Sequence, residues 1–312
     1  MIITLKMERM MNGNSVEDCS ESDKYRSERR DLTFPVFTNN TDEKIQTIKI
    51  TGAFLDGYLP KLIDHLTVVD WGVGDGDLSV KVAEYMKSKC NNVRYEGIDR
   101  SAAFVEKTTS KLLTLGIKNN NIILGSFSSG DVDKLAQHPT LLIASQIIFY
   151  ADVKEFIERV VKKMGLVAII IGQATGSFLD HLGKEYDNSS KFTGTEGNAS
   201  HLISQKEELN SIKILYSSTI NFPRDISFDK LKNIALSDFN ELKKLNNTDY
   251  NIRCLLEFIA GSPMERLACM KKLDYFLQDV GTHLNVNENK ISFWNFMSII
   301  VPKNNSSIRH GA

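Results

Sequence analysis

Apolar runs of strand length alternate with amphipathic stretches through the middle of the chain. The apolar runs predict five strands, at Leu66–Trp71, Val93–Ile98, Asn121–Leu124, Leu141–Ile148 and Leu166–Gly172. Between them, hydrophobic residues recur every three or four positions, which predicts helices over 78–89, 101–115 and 152–164. Strands that alternate with helices predict an α/β fold with a doubly wound, mainly parallel sheet.

The alternation stops after the fifth strand. Residues 174–210 combine glycines with aromatic residues and are interpreted as a lid over a substrate. Two more strands are expected, at Ile212–Ile220 and Ile291–Val301, which makes a seven-stranded sheet with lid and substrate insertions inside 174–290. Helical spacing also occurs in three stretches, Phe228–Leu242, Asn251–Ala260 and Met264–Val280.

The two ends of the chain differ from the middle in composition. Residues 1–33 are polar and highly charged, and we interpret them as a disordered leader. Pro302 stops the last strand, and residues 304–312 form a loose tail. The predicted domain therefore spans residues 34–303.

Three glycines, Gly72, Gly74 and Gly76, follow the first strand at alternate positions. Glycine lets the backbone turn sharply and approach a ligand closely, and the N–H groups at the following helix start can meet a polar ligand. A dinucleotide fingerprint would place its third glycine where Asp77 stands. The acids of the turn, together with Asp70 before it, disfavour a pyrophosphate and suit a ligand that carries an ammonium and a sulfonium.

This stretch resembles the first motif of the class I S-adenosylmethionine (SAM) methyltransferases. The resemblance implies the Rossmann-like fold of that class, with SAM as the cofactor and with Asp70, Gly72 and Gly74 beside it. A nucleotide site and an ordinary strand-to-helix turn without a ligand are the alternatives.

Candidate ligand residues follow the second and third strands as well, because ligands bind at the carboxyl ends of parallel strands. Asp99 follows strand two, where a carboxylate can accept both hydroxyls of a ribose; the alternative is a helix N-cap. Ser128 follows strand three and is expected to hydrogen-bond the adenine, unless this segment is only a polar surface loop.

The end of strand four is expected to lie over the transferred methyl group. Ser145 is assigned there to the cofactor, and Gln146 needs a hydrogen-bond partner if it is buried. Phe149 and Tyr150 come next, and two aromatic side chains can surround a cation or a flat ring. Packing in the core is the alternative for these two residues.

Three segments resemble the histamine N-methyltransferase family. They are Phe54–Pro60, Ser145–Tyr186 and Phe293–Val301, and the similarity extends over roughly residues 34–303. The resemblance implies a substrate held by three polar side chains, those of Glu43, Gln146 and Asn295, inside an aromatic box.

The same resemblance implies further assignments and departures. It places Gly72, Asp99, Ser128 and, in the position of a glutamine, Phe104 at the cofactor. Two tryptophans of the family's substrate lid correspond to Phe178 and Leu182 in this chain. Together with Phe149 and Tyr150, Phe178 is assigned to the substrate. These differences from the family bear on the identity of the substrate more than on the methyl-transfer reaction.

The implied reaction asks little of the protein, since the methyl group of a sulfonium is already activated. The protein must align the nucleophile with the methyl carbon and the sulfur, and it must exclude water. Glu43, Gln146 and Asn295 could orient a neutral nitrogen and carry off its proton. Two alternatives stay open: O-methylation of a small hydroxyl or carboxyl compound, and a SAM-fold protein that binds without turnover.

Composition narrows the range of partners. The formal net charge is −1, which gives no sign of a nucleic-acid or acidic-membrane surface. A small-molecule substrate, no nucleic acid, no membrane and a monomer are therefore expected. Neither the four cysteines nor the six histidines show ligand spacing, so no metal is expected. The scattered cysteines and the lack of a signal-like or membrane-spanning apolar run predict a reducing, cytoplasmic location.

Overall fold

The computed structural model describes residues 23–59, 64–127, 130–148, 152–186, 195–223, 226–245, 247–285 and 287–303. The chain folds into two compact units. The first, here called the sheet unit, comprises Glu43–Ser177, Lys191–Ser218 and Trp294–Ala312. The second, the helical unit, comprises Met1–Asp42, Phe178–Ser190 and Thr219–Phe293.

The strands form one seven-stranded sheet with the order β3-β2-β1-β4-β5-β7-β6. Their bounds are β1 Leu66–Trp71, β2 Val93–Asp99, β3 Asn120–Leu124, β4 Leu141–Ser145, β5 Val167–Gln173, β6 Leu209–Asn221 and β7 Lys290–Pro302. The pairs from β3 to β5 are all parallel, and β7 runs antiparallel to β5. The predicted doubly wound, mainly parallel sheet is thus confirmed. Its order reverses between β1 and β4, where open α/β sheets bind their ligands.

The helices follow in chain order. They are α1 Asp23–Asn39, α2 Glu43–Tyr58, α3 Asp77–Lys89, α4 Ala102–Thr114, α5 Val153–Lys163, α6 Phe178–Tyr186, α7 Thr195–Ser204, α8 Phe228–Leu236, α9 Phe239–Leu245, α10 Thr248–Ala260, α11 Met264–Cys269 and α12 Leu273–His283. A short 3₁₀ turn, Asp131–Lys134, lies between β3 and β4.

The sheet unit has a hydrophobic core on each face of its sheet. Successive side chains of a strand point to opposite faces, so Val68 packs in one core and Val69 in the other. Met86 of α3 packs with the first core, and Phe156 of α5 with the second. With both faces covered by helices, the carboxyl ends of the strands are the places left for a ligand.

Some element boundaries differ from the sequence prediction. β4 ends at Ser145 instead of Ile148, because Gln146 takes a left-handed φ of 56°. The predicted helix Phe228–Leu242 is divided, since the Asp238 carboxylate accepts from the Glu241 N–H at 3.0 Å and starts a new helix. The helix predicted over Met264–Val280 is interrupted by Lys271, whose φ is 56°.

The predicted disordered leader is wrong for residues 23–33, which lie in α1. The physical reason is that this helix has buried contacts in the helical unit. Arg29 is 8% exposed, and its guanidinium lies 3.4 Å from the centre of the Phe239 ring and 3.3 Å from a Glu257 carboxylate oxygen. Residues 1–22 of the leader and the tail at 304–312 lie outside the described residues.

The region predicted to contain the lid and substrate insertions, residues 174–290, is divided between both units. Phe178–Ser190 and Thr219–Phe293 belong to the helical unit, whereas Lys191–Ser218 belongs to the sheet unit. The 174–290 region therefore contributes to both units. Its first helix, α6, packs in the core of the helical unit through Leu179 and Leu182.

Two findings bear on the expected compartment. No helix in the described part of the chain is long and apolar enough to cross a membrane. Cys90 and Cys254 are buried free thiols, but Cys269 is disulfide-bonded. The cytoplasmic location stays a prediction.

Candidate functional site

The glycine turn after β1 has the backbone that its sequence predicts. Gly72, Gly74 and Gly76 have φ values of 77°, 55° and 81°, which side chains rarely allow. A Cβ on Gly72 would also overlap the Cγ2 of Ile147, and one on Gly76 would lie 2.6 Å from the Thr108 Oγ1. Both the conformation and the packing of this turn thus require glycine.

The Asp99 carboxylate, at the end of β2, forms hydrogen bonds with the glycine turn and with the residue that caps the next helix. Its Oδ2 accepts from the Gly74 N–H and its Oδ1 from the Ser101 N–H, both at 2.9 Å. A carboxylate oxygen can accept more than one hydrogen bond, so Asp99 keeps capacity for ligand hydroxyls. The cap of α4 is Ser101, whose hydroxyl accepts from the Phe104 N–H at 3.4 Å. The helix-cap alternative for Asp99 is therefore wrong, and Phe104 lies in the first turn of this capped helix.

Asp70 is placed differently from the sequence assignment. The residue is only 2% exposed, and its Oδ2 accepts from the hydroxyls of Ser79 and Tyr95 at 2.7 Å each. Burial raises the pKa of Asp70 to about 6, against the effect of these two hydrogen bonds. The enclosed carboxyl connects β1 to Ser79 of α3 and Tyr95 of β2. Its burial argues against the direct contact with a cofactor that the sequence predicted.

The acids inside the turn are paired with lysines, which sequence analysis missed. Lys44 of α2 lies 2.7 Å from Asp75 and 3.2 Å from Asp77, and Lys111 of α4 pairs with Asp77 and donates to the Asp75 carbonyl at 2.9 Å. Although partial burial acts in the opposite direction, Lys111 and Lys44 lower the pKa of Asp77. The turn is therefore not the bare acidic surface that would repel a pyrophosphate.

The lysines did leave a signal in the sequence. Lys107 and Lys111 are four positions apart in the predicted helix 101–115, so they share one helical face. Lys107 lies 4.0 Å from Asp75. Nothing in the spacing, however, indicated that this face packs beside the turn.

The three polar residues that the family resemblance supplied, Glu43, Gln146 and Asn295, come together in the sheet unit. Gln146 donates through Nε2 to Glu43 Oε1 at 2.5 Å and to Asn295 Oδ1 at 3.4 Å. Asn295 is fully buried and donates through Nδ2 to the hydroxyl of Ser218 at 3.1 Å. These three residues, from α2, the end of β4 and β7, together with Ser218 of β6, form a chain of hydrogen bonds, here called the polar cluster.

The conformation of the backbone explains how Gln146 reaches this cluster. Its N–H donates to the Ile171 carbonyl at 2.8 Å, which continues the β4–β5 pairing by one bond. Its left-handed φ of 56° then turns the chain away from the sheet. Such a strained residue at a strand end is typical of functional sites.

A buried tyrosine lies near the cluster. Burial, followed by the charge of Glu43, raises the pKa of Tyr216, whose hydroxyl shares a 2.8 Å hydrogen bond with Thr47. Sequence analysis missed Tyr216 and Ser218. The signal available was their period of two on the predicted sixth strand, which puts both on one face.

The other predicted site residues have separate positions. Ser145 ends β4, and its carbonyl lies 3.8 Å from where a Gly72 Cβ would stand, at the same sheet edge. Phe178 belongs to the helical unit, where it is 6% exposed and its ring lies 4.4 Å from that of His283. Ser128, Phe149 and Tyr150 lie outside the described residues. Within the described ranges, no group of three or more His, Cys, Asp or Glu side chains could hold a metal ion.

The seven-stranded sheet with this strand order has counterparts among solved structures of other proteins. The YcgJ protein from Bacillus subtilis aligns with a TM-score of 0.50 and 15% identity, over 80% of this chain and 97% of that one. A SAM-dependent methyltransferase from Geobacter sulfurreducens, solved with S-adenosyl-L-homocysteine, aligns with a TM-score of 0.45 and 11% identity, over 83% and 91% of the two chains. At these identities the likeness concerns the fold alone. No family model and no curated protein sequence matches the chain.

Proposed function

We propose that this protein is a SAM-dependent methyltransferase. The observation that carries the proposal is the hydrogen bond between the Gly74 N–H and the Asp99 carboxylate, at 2.9 Å. It brings a glycine-only turn and an acid with remaining acceptor capacity to one sheet edge, beside the point where the strand order reverses. The acid suits the ribose hydroxyls, and the turn gives the cofactor a close approach to backbone.

We further propose that the acceptor is a nitrogen of a small amine or imidazole. The polar cluster supports this choice. An ionised Glu43 only accepts hydrogen bonds, so Gln146 directs its amide N–H₂ at Glu43 and Asn295. The carbonyl oxygen of Gln146 and the Glu43 carboxylate are then both acceptors, which suits a substrate that carries N–H groups.

In this proposal the cofactor supplies an activated methyl group, and the protein supplies alignment and proton handling. Gln146, which is held by Asn295, fixes the orientation of the nitrogen, whose lone pair must point at the methyl carbon. Glu43 takes the proton that the nitrogen releases. Asn295, which is fully buried, keeps the far side of the cluster dry.

Calorimetry with SAM and with S-adenosylhomocysteine tests the cofactor. We expect micromolar binding by the wild-type chain and at least tenfold weaker binding by Asp99→Ala, a loss of about 1.4 kcal/mol or more. Asp56→Ala is the matched control, because its carboxylate lies on α2 and pairs with Lys89. Absence of binding by the wild-type chain, or equal binding by the Asp99 variant, would contradict the proposal.

The acceptor atom is tested by product analysis after incubation with SAM and histamine, related amines or small acids. An N-methyl product is stable to base, whereas a methyl ester is hydrolysed. A base-labile product would replace the amine proposal with O-methylation of a carboxyl compound.

A further inference from the structure

The first turn of α2 contains two neighbouring residues with different partners. Glu43 accepts from Gln146 in the polar cluster at 2.5 Å. Lys44, the next residue, donates to Asp75 Oδ1 at 2.7 Å and to Asp77 Oδ2 at 3.2 Å, both in the glycine turn. Adjacent residues of a helix point about 100° apart, so one turn of helix can contact two sites at once.

The ion pair between Lys44 and Asp75 is largely shielded from solvent, so it can hold α2 to the glycine turn. The Lys44 side chain is 18% exposed and that of Asp75 only 4%, so water and salt screen this pair less than a surface pair. Asp75 lies between Gly74 and Gly76, which both have left-handed φ values. Removal of Lys44 would take the nearer of two ammonium groups from this carboxylate, since Lys107 lies 4.0 Å from it.

We propose that Lys44 is a positioning residue that couples the glycine turn to Glu43. It ties the first turn of α2 to Asp75 and Asp77, so that an ordered turn holds Glu43 against Gln146. The inference rests on the proposed function, in which the cofactor binds at the glycine turn. Binding at the turn and the placement of Glu43 then stabilise each other, as linkage requires.

The competing explanation is that Lys44 only neutralises the charge of the acids in the glycine turn. Lys111 of α4 provides a control for this explanation. Lys111 also pairs with Asp77, and it donates to the Asp75 carbonyl at 2.9 Å. It comes from α4, however, so it does not tie α2 to the turn. If Lys44 acts only through its charge, removal of Lys111 should have the same effect on α2.

Hydrogen–deuterium exchange in peptides that cover residues 44–58 and 72–77 tests the coupling. The full chain is compared as wild type, Lys44→Ala, Lys44→Arg, Lys111→Ala and Lys49→Ala, with and without S-adenosylhomocysteine. Lys49 is an exposed residue of the same helix and controls for the loss of a lysine there.

Without ligand, we expect Lys44→Ala to speed exchange in α2 by about fivefold, the effect of losing one partly buried ion pair. Lys49→Ala and Lys111→Ala should leave α2 near the wild-type rate, and Lys44→Arg should restore much of the protection. Equal α2 exchange in Lys44→Ala and Lys49→Ala would overturn the inference, as would equal acceleration in Lys111→Ala.

With ligand, we expect the wild-type chain to gain protection in both peptides. Lys44→Ala should gain it in 72–77 and not in 44–58. Equal protection of α2 in this variant would also overturn the coupling. If S-adenosylhomocysteine protects neither peptide in the wild-type chain, the proposed function fails, while the ligand-free comparison still decides whether Lys44 holds α2.

Discussion

Asp70 and Asp99 lie at the ends of neighbouring strands, and the structure gives their carboxylates different surroundings. Asp99 accepts two backbone N–H groups and lies partly accessible at the sheet edge. Asp70 is buried and accepts hydrogen bonds from two hydroxyl groups. Sequence analysis treated both as cofactor residues, because position along a strand does not show which face a turn will cover.

The buried carboxyl of Asp70 should be visible in the pH dependence of stability. Burial raises its pKa from 3.8 to about 6, so the folded chain holds this proton more tightly than the unfolded chain. The stabilisation is complete below the unfolded pKa and is lost as pH rises through about 6. Asp70→Asn removes this titration, so relative to wild type the variant should gain about 2–3 kcal/mol between pH 4 and pH 7.

Urea unfolding at several pH values, followed by tryptophan fluorescence, measures this difference. Both tryptophans, Trp71 and Trp294, belong to the sheet unit that contains Asp70. All other carboxyls titrate in both proteins, so their contributions cancel in the difference between the two stability curves. Parallel stability curves for the two chains would show that Asp70 titrates as an ordinary carboxyl.

At the scale of elements, most strands and helices of the sheet unit lie where hydrophobic periodicity put them. β1 has the predicted bounds, and α5 differs from its prediction by one residue at each end. Local signals suffice there, because each element carries its own apolar face and its own start signal. The misses, β4 and the divided helices, come from left-handed residues and interior caps that periodicity does not detect.

The start of α5 is a local signal whose strength can be measured. The Asp152 carboxylate accepts from the Glu155 N–H at 2.9 Å. We expect Asp152→Ala to destabilise the sheet unit by about 1 kcal/mol, because the cap is lost, and Asp152→Ser to retain most of the stability. Glu158→Ala, at an exposed position of the same helix, controls for the loss of an acid. Tryptophan-monitored urea unfolding gives the values, and equal stability of the Ala and Ser variants would contradict the capping role.

At the scale of the whole molecule, the helical unit depends on buried charges. Arg253 is fully buried and pairs with Glu257 at 2.8 Å and with Glu265 at 2.5 Å. It also donates to three backbone carbonyls, those of Ile234, Ala235 and Ser237. Arg29 of α1 adds a second guanidinium beside Glu257. Burial raises the pKa of Glu257, against the lowering effect of Arg253 and Arg29.

Removal of one partner of this cluster should cost more than removal of both. Arg253→Met leaves Glu257 buried and poorly compensated, and we expect a loss of about 3–5 kcal/mol in the stability of the helical unit. The double variant Arg253→Met, Glu257→Leu should recover part of it. Urea unfolding followed by far-ultraviolet circular dichroism tests this, and a double variant less stable than the single one would refute the expectation.

The sequence by itself determined the sheet, the glycine turn and the acid at the end of β2. These features depend on local patterns: period-two and helical hydrophobicity, and conformations that only glycine adopts readily. The resemblance to a family identified Glu43, Gln146 and Asn295 as a set. Spacing alone could not identify them, because these residues are far apart in the chain.

Only the tertiary structure decided which side chains meet. It buried Asp70, paired the acids of the turn with Lys44 and Lys111, added Ser218 to the polar cluster and folded part of the leader into a helix. Each of these depends on contacts between residues distant in sequence. Burial and charge pairing are properties of such contacts, so no window along the chain contains the information.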